Sequence, residues 1–105
     1  MIIITTNRYV VRAEYAAENQ ERLRQVMQDL RALGRTDLTY SVFVEEDGKT
    51  FVHWRICANE EASKVFDQLP SFQAFQAALA ASRPEVPPIS ATRLTLVGST
   101  SDLFS

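Results

Sequence analysis

Three side chains able to carry chemistry fall two residues apart in one apolar stretch: His53, Arg55 and Cys57. Residues two apart on a strand share a face, so the three would stand side by side with Trp54 and Ile56 turned the other way. Histidine exchanges a proton near neutrality, and arginine stays cationic and holds an oxyanion with a planar fork. A charged Arg55 beneath helices would need a partner or a ligand. The alternative leaves His53 and Arg55 reaching out at a sheet end, or pairing with Glu14 or Glu45 across a dimer. Cys57 is the sole cysteine, so no intrachain disulfide can form, and the count fits a reducing, cytoplasmic compartment. Its first reading is a small buried hydrophobe. His53 is the only histidine, which leaves no Cys/His metal spacing and no Ser-His-Asp arrangement. Neither a metal nor a hydrolase is expected.

Other candidates are less specific. Tyr9, Tyr15 and Tyr40 offer hydroxyl groups to a phenolic ligand, although a strand tyrosine more often packs its ring and leaves the hydroxyl at the edge. Phe66, Phe72 and Phe75 are core aromatics first, and a pocket-lining role is compatible with that. Trp54 reads as an interface anchor.

The elements that must position these groups follow from periodicity. Tyr9–Tyr15 is rich in strand formers and reads as the first strand. Leu23, Val26, Met27, Leu30 and Leu33 then follow one helix face. Glu18 and Arg22 support that helix four residues apart, Gly34 stops it, and Asn19 is a weak candidate cap. Leu38–Val44 and Thr50–Ile56 read as strands joined at Asp47-Gly48, a strong hairpin signal. A two-residue turn there would set Tyr40 opposite Arg55; a three-residue turn with a bulge at Gly48 would shift the pairing by one. Asn59 caps a second helix with the stripe Ala62, Val65, Phe66 and Leu69. Pro70 breaks it, Ser71 can recap, and Phe72, Phe75 and Leu79 continue. Arg83–Pro88 is a loop, Ile89–Val97 a last strand, and 99–105 a frayed tail.

The order is β-α-β-β-α-β: one α+β, ferredoxin-like domain over residues 1–105, ordered from about 7 to 98, with a four-stranded antiparallel sheet. Two helices cover one sheet face, yet Phe43, Phe51, Trp54 and Ile56 give both faces apolar character. The open face needs a partner, and a homodimer packed sheet on sheet is the economical one. At 105 residues the chain has the size of a single domain. A net charge of −2 and a pI of about 5.3 disfavour nucleic acid and an anionic membrane as partners. The apolar run at the N-terminus is far too short to span a membrane.

On these elements the chain resembles the antibiotic-biosynthesis monooxygenase family of the dimeric α/β-barrel superfamily. The resemblance runs from about Asn7 to Val97 and is best over Phe51–Ala62 and Leu69–Phe75. It implies a homodimer with a pocket between helices and sheet in each protomer, and His53, Arg55 and Cys57 facing that pocket. Members include cofactor-free quinol oxygenases, heme-degrading oxygenases and proteins of no known activity. The Glu and Trp of a typical third strand fall here on Arg55 and Cys57, the helical His on Phe66, and the axial His of the heme-degrading branch near Gln76. Asn7 matches that branch's first-strand Asn, and Arg93 lies where some members place a pocket arginine. No cofactor is expected, heme included. Two functions follow. One is a cofactor-free oxygenase of quinols or polyphenols, with His53 taking the proton, Arg55 or Arg93 holding the oxyanion, and Asn7 or Tyr40 orienting it. The other is a non-catalytic dimer that binds a small aromatic or hydrophobic molecule or serves as a stress-associated accessory protein.

Overall fold

A computed structural model describes residues 2–100. Its elements are β1 (Ile3–Val10), α1 (Ala16–Ala32), β2 (Leu38–Val44), β3 (Thr50–Cys57), α2 (Glu60–Asp67), α3 (Pro70–Ala81) and β4 (Thr92–Leu94). The strands form one antiparallel sheet in the order β2-β3-β1-β4. This is the expected β-α-β-β-α-β arrangement. Among the described residues no helix is long and apolar enough to cross a membrane.

The first strand lies earlier than the sequence reading put it. The β-branched run at Ile3, Ile4, Thr5 and Thr6 pairs with the far end of β3, from Ile3 opposite Cys57 to Val10 opposite Thr50. Ala13–Tyr15, expected as strand, is instead a 3₁₀ turn leading into α1. Asn19 does not cap that helix; it sits inside it, on the buried line Asn19, Leu23, Val26, Leu30. Gly34 ends the segment in the left-handed region, φ +64°, where a side chain would be strained.

The β2–β3 hairpin has the register of a two-residue turn, with Tyr40 opposite Arg55 and Val42 opposite His53. Its loop is built differently. Glu45 and Thr50 close it (N···O 2.8 Å), and the Asp47 carboxylate accepts from the backbone N–H groups of Lys49 and Thr50 at 2.9 Å each. Gly48 takes the positive φ, +75°. Asn59 caps α2 as expected, accepting from the Ala62 N–H at 3.0 Å. Ser71 does not cap α3: Leu69 is the cap residue and Pro70 is the first helical residue, where its missing N–H costs nothing.

The last strand is shorter than Ile89–Val97, for a reason visible in the sequence. Val86 exchanges two backbone hydrogen bonds with Val10, at 2.9 and 3.0 Å. Pairing resumes only at Thr92 opposite Thr6. Between these points, five residues (Pro87–Ala91) face three of β1 (Asn7–Tyr9). Pro87 and Pro88 cannot donate to the ladder, so the segment arches away from the edge of the sheet. Residues 101–105 of the expected tail lie outside the described residues.

The core lies between the helices and one sheet face, with Tyr9, Val11, Val26, Phe51 and Phe66 almost wholly enclosed. The other face is open. Phe43 and Trp54 pack edge to face at 5.3 Å there, yet remain 49% and 51% exposed, and Leu94 is 42% exposed beside them.

Candidate functional site

Antiparallel pairing sets residues of neighbouring strands in rows, and opposite residues share a face. Two rows matter on the helix side. One runs Asn7, His53, Val42; the next runs Arg93, Thr5, Arg55, Tyr40. Above them α3 contributes Phe72, Phe75 and Gln76, and the proline arch contributes Pro88. Between these parts lies a cleft of two adjoining lobes, about 490 and 370 Å³, that share Asn7, His53, Phe72, Gln76 and Pro88. Tyr40 and Arg55 line the first lobe, Tyr9 and Phe75 the second. A few hundred cubic ångströms with a few converging polar groups is the usual form of a small-molecule site.

The floor of the cleft is a hydrogen-bonded chain. The Tyr9 hydroxyl lies 2.7 Å from Nε2 of His53, and the Tyr40 hydroxyl 2.5 Å from Nδ1. Asn19 Nδ2 donates to the Tyr9 hydroxyl at 2.9 Å. Burial, with a smaller contribution from the Arg55 charge, lowers the His53 pKa to about 4, so the ring is neutral at pH 7. Burial also raises the pKa values of Tyr9 and Tyr40, so both remain protonated. The expectation that His53 takes a proton meets a weak base.

Arg55 is held from two sides. Its Nη1 reaches Asp67 Oδ1 at 2.8 Å, and the guanidinium lies 3.9 Å from the Phe66 ring centroid. Within the chain, Asp67 pairs with Arg55 and Glu45 binds Arg8, at 3.0 Å. Asp67 cancels part of the charge Arg55 presents to the cleft. Asn7 Oδ1 is buried at the cleft with no hydrogen-bond partner, an acceptor that a ligand's O–H or N–H would satisfy.

Asn7, Tyr9, Tyr40, His53, Arg55, Phe72, Phe75 and Gln76 thus converge on one cleft. Four candidates lie outside it. Cys57 is enclosed at the far end of β3, burial raises its thiol pKa, and it lines neither lobe. Phe66 lies beneath Arg55 and Tyr40 as packing, with a centroid distance of 4.6 Å to Tyr40. Arg93 shares a row with Thr5 but is exposed and outside both linings, because β4 is a short edge strand. Tyr15 closes the 3₁₀ turn and lines neither lobe. Sequence reasoning missed Asn19, Asp67 and the proline arch. Asn19 had a signal: a polar residue in line with Leu23, Val26 and Leu30. Asp67, twelve residues from Arg55, had none. Among the described residues no cluster of His, Cys, Asp or Glu could hold a metal ion.

Solved structures with this architecture are numerous. Rv0793 of Mycobacterium tuberculosis superposes with a TM-score of 0.77 at 16% identity, covering 96% of this chain and 100% of that one. A protein described as an antibiotic biosynthesis monooxygenase gives 0.73 at 14%, covering 93% and 100%. SnoaB of Streptomyces nogalater, a cofactor-independent oxygenase, gives 0.70 at 15%, covering 94% and 96%. The chain shares their fold. At these identities the likeness is one of fold, and it spans whole domains on both sides. No protein-family model and no curated protein matches the sequence.

Proposed function

We propose that the chain is an antibiotic-biosynthesis-monooxygenase-like protein whose cleft takes a small aromatic ligand, an acidic phenol or quinol, for cofactor-free oxygenation. The observation that carries this reading is the composition of the cleft: apolar walls from Phe72 and Phe75 over a floor where Tyr40, His53, Arg55 and Asn7, with its unpartnered Oδ1, meet. An aromatic ring fits the walls, and a phenolate oxygen fits the donors. The fold shared with SnoaB supports the same reaction class.

With a pKa of about 4, His53 is a poor general base at neutral pH. The acidity of the substrate itself therefore does much of the work, while Arg55 and Tyr40 stabilise the phenolate. The electrons come from the substrate. At a ring C–H of the phenol, one atom of dioxygen becomes a second carbonyl and the other leaves as water, phenol + O₂ giving quinone + H₂O, so no external reductant is needed.

The open sheet face is the proposed seat of a second copy. Its rows carry Ile4, Val52, Trp54, Ile56, Phe43 and Leu94, and the one charge among the paired positions, Arg8, is matched by Glu45. A face with no unmatched charge fits an identical face related by a twofold. One observation favours a non-catalytic binder instead: Asp67 already pairs with Arg55. Oxygen uptake by the pure protein with a panel of quinols decides between them. Saturable uptake with product formation is expected. Tight binding with uptake no faster than the protein-free rate would leave the binder reading.

A further inference from the structure

The chain Asn19–Tyr9–His53–Tyr40 crosses the domain from the buried face of α1 to the cleft. Its two ends differ. Asn19 is wholly buried, Tyr9 is 2% exposed and His53 8%, whereas Tyr40 borders the first lobe. A neutral imidazole donates from one nitrogen and accepts at the other, so the chain can run in only one of two directions at a time.

The buried end distinguishes the directions. Asn19 Nδ2 donates to the Tyr9 oxygen. Tyr9 must then place its own hydrogen, and the acceptor within reach is Nε2 of His53. That leaves the proton on Nδ1, from which it is donated to the Tyr40 oxygen. The Tyr40 hydrogen is then free for whatever occupies the cleft. The reverse direction would put Nε2–H on Tyr9 and leave the Tyr9 hydrogen to Asn19 Oδ1, with the amide turned over. The turned amide would leave both N–H donors without an acceptor, where at present one donates to Tyr9 and the carbonyl oxygen lacks a partner. Orphaned donors are the rarer and costlier defect.

We propose that Asn19 and Tyr9, acting from outside the first lobe, are positioning residues that fix His53 as its Nδ1–H tautomer and so present the Tyr40 hydroxyl to the cleft as a hydrogen-bond donor. In this arrangement Tyr40 touches the ligand, and His53 acts through it. An oxyanion in the first lobe receives the Tyr40 hydrogen bond, which His53 strengthens by donating to the same oxygen from behind. The consequence for an oxyanion rests on the reading of the cleft as a phenolate site; the tautomer does not.

His53 is the only histidine, so its ring nitrogens are observed directly in ¹⁵N-histidine-labelled protein. Protonated and unprotonated nitrogens of a neutral imidazole resonate far apart. At pH 7 the wild type should show Nδ1 protonated and Nε2 bare, opposite to the preference of free histidine. Tyr40→Phe should keep that pattern, because direction is set at the buried end. Tyr9→Phe should draw the two shifts toward each other, because the ring's own preference for Nε2–H is then opposed only by the cost of leaving that N–H without an acceptor. Asn19→Leu should draw the two shifts toward each other as both directions become populated. An Nε2–H wild type overturns the proposal, as does a Tyr40→Phe variant that switches tautomer while Tyr9→Phe leaves the shifts unchanged. Unchanged shifts in a folded Asn19→Leu would assign the direction to Tyr9 alone and remove Asn19. Backbone amide spectra of each variant establish the fold. A separate arm measures 4-nitrophenolate by its absorbance shift, with Tyr40→Phe expected to weaken binding about tenfold, the loss of one net hydrogen bond to a charged group. Failure of this arm with the Nδ1–H tautomer intact would refute the phenolate site and leave the positioning residues in place.

Discussion

Burying a histidine as its neutral form makes stability depend on pH, and His53 allows the size to be worked out. Its pKa falls from 6.5 to about 4 on folding. Between these values the unfolded chain binds the proton and the folded one does not, so stability rises with pH across that window and is flat for this group above it. The group therefore removes stability as the solution is acidified from 6.5 toward 4. At pH 5 the loss relative to the plateau above both values is RT ln[(1 + 10^1.5)/(1 + 10^−1)], about 2 kcal/mol, and at pH 4 about 3 kcal/mol. Urea unfolding of wild type and His53→Gln at fixed protein concentration, at pH 7, 6, 5 and 4.5, isolates the contribution. Glutamine retains a donor and an acceptor but does not titrate in this range. The variant should start less stable, because it repacks around Tyr9 and Tyr40, and lose less on acidification, with the two curves converging by about 2 kcal/mol at pH 5. Parallel curves would refute the reasoning: His53 would then reach water, and the hydrogen-bonded chain beneath the cleft would not be closed.

Three further outcomes follow from the geometry. Trp54 is the only tryptophan and is half exposed on the open face; dilution through the dimer dissociation range should shift its emission to the red, and Trp54→Ala should weaken association by about 2 kcal/mol or more in sedimentation equilibrium, as expected for an aromatic anchor, whereas a wild-type monomer at micromolar concentration would sink the dimer. Arg55→Ala should cost about 1.5–3 kcal/mol of affinity for 4-nitrophenolate, with Arg55→Lys recovering only part because the planar fork is lost; unchanged affinity in both variants would take Arg55 out of the site. Heme titration should give no sharp Soret shift at one equivalent per chain, since Gln76 offers no ligand of the axial type and both His53 nitrogens are already bonded to the Tyr9 and Tyr40 hydroxyls; a shift abolished by a single substitution would reverse that expectation.

Where the chain was legible, local chemistry and tertiary packing pointed the same way. The β2–β3 pair, the Asn59 cap and the Phe66, Phe72 and Phe75 stripes follow from short-range rules, and the structure has them where those rules put them. The misreadings came where a longer-range partner decided. Tyr9–Tyr15 has strand composition, but the central strand β3 is matched rung for rung by Ile3–Val10, and Ala13, Glu14 and Tyr15 turn toward α1. Ile89–Val97 alternates well enough, yet Pro87 and Pro88 push the chain out of register before it returns. The site was legible in its strand half, because period two is a strong constraint on His53 and Arg55. Its other half comes from Asn19 and Asp67, which meet the strands only through the fold.

The two readings of function therefore turn on a balance of charge and protonation rather than on the presence of a cleft. A site that abstracts a proton needs a base with a pKa near the working pH, and burial has moved His53 well below it. A site that receives an already acidic phenol needs donors fixed in place, and here the fixing is extensive. His53 is held through both nitrogens, Tyr9 is held by Asn19, and Arg55 is held by Asp67 and the face of Phe66. Preorganised donors in a partly dry cleft favour the charge that develops at an oxygen as the phenol ionises. The same donors would bind a neutral aromatic alcohol with less gain, because no charge answers theirs. Affinity for a series of substituted phenols should thus rise as their pKa falls toward and below 7, and a flat dependence would favour a binder that reads only shape.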